Sequence, residues 1–265
     1  MIVVLQRMAL GGYLVATCSA FLSIFLRRQR LIRLAGPLAG MGLLCHSLAF
    51  VFHLRTAGPA LFTTLDESLS FLSLVAVFLY LFGSLRYRLH VLGVIMLPLA
   101  LILGLLGSDL TVQAVPVSPA LRDPLLWLHV VVSSLGVGSF FLTFTFSVIY
   151  LIQERALKEK RPARFFLSLP SLTACDQGLF LSLMVGFVLL TAGLILAMIW
   201  SASFRGTFHV WQNQREILAL ISWGIFGVVL YARLVRGWRG RKTALLAIVG
   251  FAAVMLRLIG GHVLS

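Results

Sequence analysis

The chain has 265 residues, of which 60% are hydrophobic and only 11% charged. Soluble domains carry about a quarter charged residues, so one water-soluble core is excluded and a polytopic membrane protein is implied. The net charge of +14 would suggest nucleic acid in a soluble protein; here the Lys and Arg gather in short loops, as orientation signals do, and no nucleic-acid partner is expected.

In chain order, apolar stretches of the length needed to span a bilayer fall at roughly 8–26, 34–54, 66–85, 90–107, 125–152, 177–200, 216–235 and 243–264. The first is followed by RRQR and lacks a small-residue cleavage pattern, which reads as a retained helix rather than a signal peptide. The expected fold is all-α: a polytopic transmembrane helix bundle of about eight helices, forming a single integral membrane domain over 1–265.

The loops set the orientation. RRQRLIR (27–33), RYR (86–88), ERALKEKRPAR (154–164) and RGWRGRK (236–242) are alternate connections, all basic. Basic short loops stay cytoplasmic, so the connections 55–65, 108–124 and 201–215 and both termini are expected outside. The protein would be multi-pass in a bacterial cytoplasmic (inner) membrane, in contact with membrane lipid. Cys18, Cys45 and Cys175 make no CxxC pair and support neither a metal site nor a thiol relay.

The outward loop at about 201–216, FRGTFHVWQNQRE from Phe204, is rich in aromatic and hydrogen-bonding side chains. An aromatic belt at the lipid boundary is one reading. The histidines offer another. His129 heads the fifth span and His262 ends the eighth, so both are expected near the outer face. Two facing imidazoles can hold haem iron, and a flat aromatic shelf would suit the porphyrin. Each His capping a helix is the alternative. Arg257 would fork onto a haem propionate or reach to the interface. His46 and His53, two turns apart on the second span, share a face, with His46 about 10 Å deeper. His90 marks a helix end.

Three segments resemble the cytochrome c assembly family of haem-handling membrane proteins, the CcsA and HemX types and more distantly CcmC. REILALISWGIFGVVLYARLVRGWRGRK is similar to the family's helix after its Trp-rich loop, which ends near GWRGKK. AGPALFTTLDESLSFLS (57–73) resembles GHFPLSNLYESLMFLSW, with Gly58, Leu65, Glu67, Ser68 and Leu69 in place. WLHVVVSSLGVGSFFLTF (127–144) resembles the helix headed by an outward His. The resemblance implies non-covalent, b-type haem against the loop, with His129 and His262 as axial ligands and Trp211, Phe208, Phe204 and His209 as the shelf. It implies no enzyme acting alone, but at most the haem-handling subunit of a cytochrome c synthase system, with a second assembly subunit as partner.

Departures accompany it. The family's WDPKE reads WQNQRE here, with the Asp gone. Tyr231 stands where CcsA types carry an inner-site His, so an inner site would be built differently, from His46 and His53. An ungapped alignment sets His262 about seven positions before the family's second outward His, and no later His follows in the sequence. The short chain and drifted loop favour the HemX type, a membrane regulator of haem biosynthesis with glutamyl-tRNA reductase as a partner. A transporter reading would need carboxylates near a helix centre; all eight acids, among them the first-turn acids Glu67 and Glu216, fall at expected helix ends or in loops.

Overall fold

The structure is a computed structural model describing residues 1–26, 28–57, 62, 64–87, 89–108, 123–159, 170–205 and 214–263. For Phe204, Arg257 and His262 it describes the backbone position and not the side chain. Among the described residues there are eight α-helices and no strands: α1 (Ile2–Phe25), α2 (Gln29–Ala57), α3 (Leu65–Tyr87), α4 (Gly93–Leu106), α5 (Pro124–Lys158), α6 (Leu172–Arg205), α7 (Gln214–Leu234) and α8 (Arg241–Val263). A 3-10 turn, His90–Leu92, leads into α4. Helix is the only local structure, besides a closed barrel, that satisfies every backbone group inside a bilayer. α1, α2, α3, α5, α6 and α7 are long and apolar enough to cross one; α4 with its leading turn is shorter.

The helices match the eight expected spans, but several run further, α2 by five residues at its start and three at its end. α1 begins six residues earlier. α5 carries on through Glu154–Lys158, where the Lys158–Glu154 and Arg155–Glu159 pairs, at 2.9 and 2.8 Å, sit four residues apart on an exposed face. Such pairs support a helix after its apolar stretch has ended. α6 opens at Leu172 and reaches Arg205, so the connection expected outside is narrower than 201–216: residues 201–205 close α6 and 214–216 open α7.

The chain forms two compact units, Met1–Val130 and Val131–Ser265. In the first, α1 and α2 meet through small residues. Ala9, Tyr13, Ala16 and Ala20 of α1 are fully buried, as are Ala35, Ala39, His46 and Ala49 of α2. Without a hydrophobic drive between helices in lipid, close backbone approach is what makes such a pair cohere. A Cβ on Gly12 would lie 3.0 Å from the Gly42 Cα, so the crossing demands glycine. The α2 stripe 35, 39, 42, 46, 49, 53 alternates steps of four and three, and His46 and His53 occupy two of its positions. The second unit is knit by rings: Phe140 stacks on Phe226 at 3.7 Å, Phe144 on Phe251 at 4.2 Å, and Phe187 on Trp223 at 5.6 Å.

Candidate functional site

His46 and His53 were expected on one face of one helix, and that is where they lie, both within 1% of full burial. Their surroundings differ. The His46 ring is engaged at both nitrogens, with Tyr13 Oη 3.1 Å from Nδ1 and Ser70 Oγ 2.9 Å from Nε2. Gln6 donates from Nε2 to the same Ser70 oxygen at 3.1 Å. Three helices thus meet on one imidazole, and its nitrogens are spent on neighbours. His53 instead pairs through Nε2 with Glu67 Oε1 at 2.7 Å, and its Nδ1 has no hydrogen-bond partner among the described residues.

Glu67 therefore does more than complement the dipole of α3. Its Oε2 accepts from the Thr64 N–H at 3.2 Å, and Thr64 Oγ1 accepts from the Glu67 N–H at 3.3 Å. That reciprocal arrangement is a capping box, written in the sequence as T-x-x-E. The His–Glu pair was not visible in the sequence, because antiparallel helix register leaves no one-dimensional trace.

His129 sits in the second turn of α5, half-buried. Two residues earlier, Trp127 meets Phe62 edge-on at 6.5 Å. Phe62 also touches Phe50 of α2 at 5.7 Å and Phe71 of α3 at 5.2 Å, and Phe50 and Phe71 are 5.3 Å apart. These four rings form an aromatic group beside the head of α5, distinct from the expected shelf. The indole N–H of Trp127 is buried and has no partner among the described residues.

Of the other expected site residues, His262 lies in the last turn of α8 and Arg257 five positions before it, while Phe204 lies in the last turn of α6. Phe208, His209 and Trp211 lie outside the described residues. His90 opens the 3-10 turn at a helix end as expected, with its Nδ1 2.6 Å from Ser84 Oγ.

Sequence reasoning missed one charged cluster. Arg233 of α7 donates from Nη1 to Asp176 Oδ1 at 2.8 Å and from Nη2 to Oδ2 at 2.6 Å, while the Gly240 N–H donates to Oδ1 at 3.0 Å. The guanidinium also lies 4.6 Å from the Phe180 ring centre. The acid near the start of α6 thereby holds the end of α7 and the turn into α8. An acid in the first turns of one span and an Arg in the last turn of another was the available signal, but nothing in the spacing pairs them. Tyr231, at the position where the resemblance placed a His, is 56% exposed.

Residues 41–265 match the protein family described as "Cytochrome C assembly protein". The chain belongs to the cytochrome c assembly protein family. The matched segment holds the His53–Glu67 pair, His129, the Asp176–Arg233 pair and His262, while the Tyr13 and Gln6 partners of the His46 cluster lie before it. "Cytochrome c biogenesis protein CcsA" of Heterosigma akashiwo is 30% identical over 238 residues, covering 77% of this chain and 74% of the relative. The protein of the same name from Chlorella vulgaris is 27% identical over 259 residues, covering 85% and 82%. That from Prochlorococcus marinus subsp. pastoris is 38% identical over 133 residues, covering 50% and 38%. These relatives are of the CcsA type and lend no support to the HemX alternative.

Proposed function

We propose that this multi-pass membrane protein of the cytochrome c assembly family holds haem at the outer face of a bacterial cytoplasmic membrane during c-type cytochrome biogenesis. His129 and His262 are its axial ligands, the haem is non-covalent and b-type, and Phe204, Phe208, His209 and Trp211 make its shelf. Arg257 is assigned to a propionate. The observation that carries the reading is His129: a half-buried imidazole in the second turn of a membrane-length helix, in a chain whose relatives are named for cytochrome c biogenesis.

The donor chemistry suits the group. Imidazole is a natural ligand for haem iron, and two residues before His129 the buried indole N–H of Trp127 has no partner among the described residues. Haem, when bound, supplies the iron porphyrin that assembly consumes. The protein's own residues would contribute binding and orientation: His129 and His262 would hold the iron, the aromatic residues of the loop would cover the ring, and Arg257 would pair with a carboxylate. The basic alternate loops support placing this end outside. Cys18, Cys45 and Cys175 lie on α1, α2 and α6 as free thiols, so a second subunit is assigned the task of keeping the acceptor cytochrome's thiols reduced.

The test is the reduced-minus-oxidised visible spectrum of the detergent-purified protein, wild type beside His129→Ala and His262→Ala. A low-spin signal in wild type that is lost in both variants is expected. A haem-supplemented wild type with no such signal overturns the reading, and loss in His129→Ala alone moves the second ligand to His209.

A further inference from the structure

A hydrogen-bonded imidazole and carboxyl group buried between two helices are an expensive way to hold them together. Replacing both partners of such a contact by apolar groups of similar shape can be nearly neutral or stabilising, and ionisable groups at membrane depth are functional candidates by default. His53 and Glu67, with side chains only 1% and 8% exposed, therefore call for a role beyond packing.

Their position supplies one. The Glu67 carboxylate is shared: one oxygen takes His53 of α2, the other takes the Thr64 N–H ahead of α3. Thr64 in turn follows Phe62 by two residues. Phe62 is buried and has φ of 63°, a left-handed backbone that a bulky side chain adopts at a cost and keeps only when its surroundings enforce it. The rings packed against its side chain are Phe50 on α2, Phe71 on α3 and Trp127 on α5. Because the Trp127 N–H has no hydrogen-bond partner among the described residues, the edge contact with Phe62 is what these residues offer to orient the indole. His129 follows Trp127 by two residues on the same rigid helix.

We propose that Glu67 and His53 are positioning residues for His129, acting through Thr64, Phe62 and Trp127. The buried pair sets α2 against the head of α3; that head sets the left-handed Phe62; Phe62 sets the rotation of the first turns of α5, and with it the direction of the His129 imidazole. The inference rests on the assignment of His129 as an axial ligand. It deepens that assignment by naming the second layer of residues that aims the ligand, whose loss in other sites typically weakens metal affinity about 10- to 100-fold.

The experiment uses the full-length protein in detergent, loaded with haem, and reads two quantities: haem affinity by titration and the low-spin fraction by electron paramagnetic resonance. Glu67→Ala is expected to weaken haem binding about ten-fold or more and to convert low-spin signal to high-spin, because one imidazole no longer reaches. Glu67→Gln keeps one acceptor oxygen, enough for His53 or for the Thr64 N–H but not for both, and is expected to fall between wild type and Glu67→Ala in both readouts. Phe62→Leu leaves the His53–Glu67 contact and an apolar side chain but removes the ring edge, and is expected to move both readouts in the same direction as Glu67→Ala; it carries the test if Glu67→Ala does not fold. Asp176→Asn, which disturbs the charged pair of the second unit, is expected to lower the melting temperature without changing the spin state.

Wild-type affinity and spin state in both Glu67→Ala and Phe62→Leu, with the low-spin signal lost in His129→Ala, would overturn the positioning role and leave the ligand assignment standing. A low-spin signal that survives His129→Ala would remove the ligand assignment, and the positioning role with it.

Discussion

Arg233→Ala should be among the most damaging single changes in the second unit. The guanidinium makes two parallel bonds to Asp176, at 2.8 and 2.6 Å, and a third to its backbone carbonyl at 3.1 Å. The two side chains are only 8% and 17% exposed. Removing one member of such a pair strands the other, at about 3–5 kcal/mol for a fully buried case. Here the Gly240 N–H remains on the carboxylate and some water reaches it, so the lower end, about 3 kcal/mol, is expected. The assay is thermal unfolding in detergent with a double-mutant cycle: Arg233→Ala, Asp176→Ala and the two together. The double variant should lose little more than either single one, with a coupling of about 2 kcal/mol or more. Arg233→Lys should fall between, because an ammonium keeps the charge without the fork. Additive losses, or an unchanged melting temperature in Arg233→Ala, would refute the claim that this pair fastens α6 to the end of α7 and the turn before α8.

Gly42→Ala should separate α1 from α2, since its Cβ would lie 2.8 Å from the Tyr13 ring and 3.0 Å from the Ala9 carbonyl. A loss of about 1–3 kcal/mol is expected by thermal unfolding, while Gly40→Ala, with nothing within 4 Å of its Cβ, should not destabilise. Ser70→Ala removes the oxygen shared by His46 and Gln6 and should cost about 1–3 kcal/mol for the polar groups left unmet, seen as a lowered melting temperature with the haem spectrum retained.

The eight helices were legible because a bilayer imposes a length and an apolar composition that a sequence cannot hide. Their ends were less so: α5 runs past its apolar stretch on the strength of charge pairs around Lys158, and α6 begins before its own, at Leu172. The shared face of His46 and His53 followed from their spacing of two turns. Their partners did not, because Tyr13, Ser70 and Glu67 are fixed by which helix lies antiparallel to which and at what height. The same holds for Asp176 and Arg233, 57 residues apart. His129 was readable as the head of a helix, but Trp127 beside it read only as part of a family motif. Its contact with Phe62 depends on a left-handed residue in a connection, which no periodicity announces.

The two histidines on α2 bear on how the hairpin of α2 and α3 is first put together in the membrane. His46 must find Ser70 while His53 finds Glu67, and their separations along the two helices are unequal, seven residues against three. Sliding one helix by a turn, about 5.4 Å, breaks both contacts together and leaves a carboxyl group and two imidazoles facing hydrocarbon, where each unmet polar group costs several kcal/mol. Neighbouring registers of a purely apolar hairpin would differ little in energy; in this one they are widely separated. A newly inserted chain thus has a steep criterion for correct alignment before its later helices arrive, and a mistranslated or mutated hairpin advertises itself by polar groups left open to the lipid.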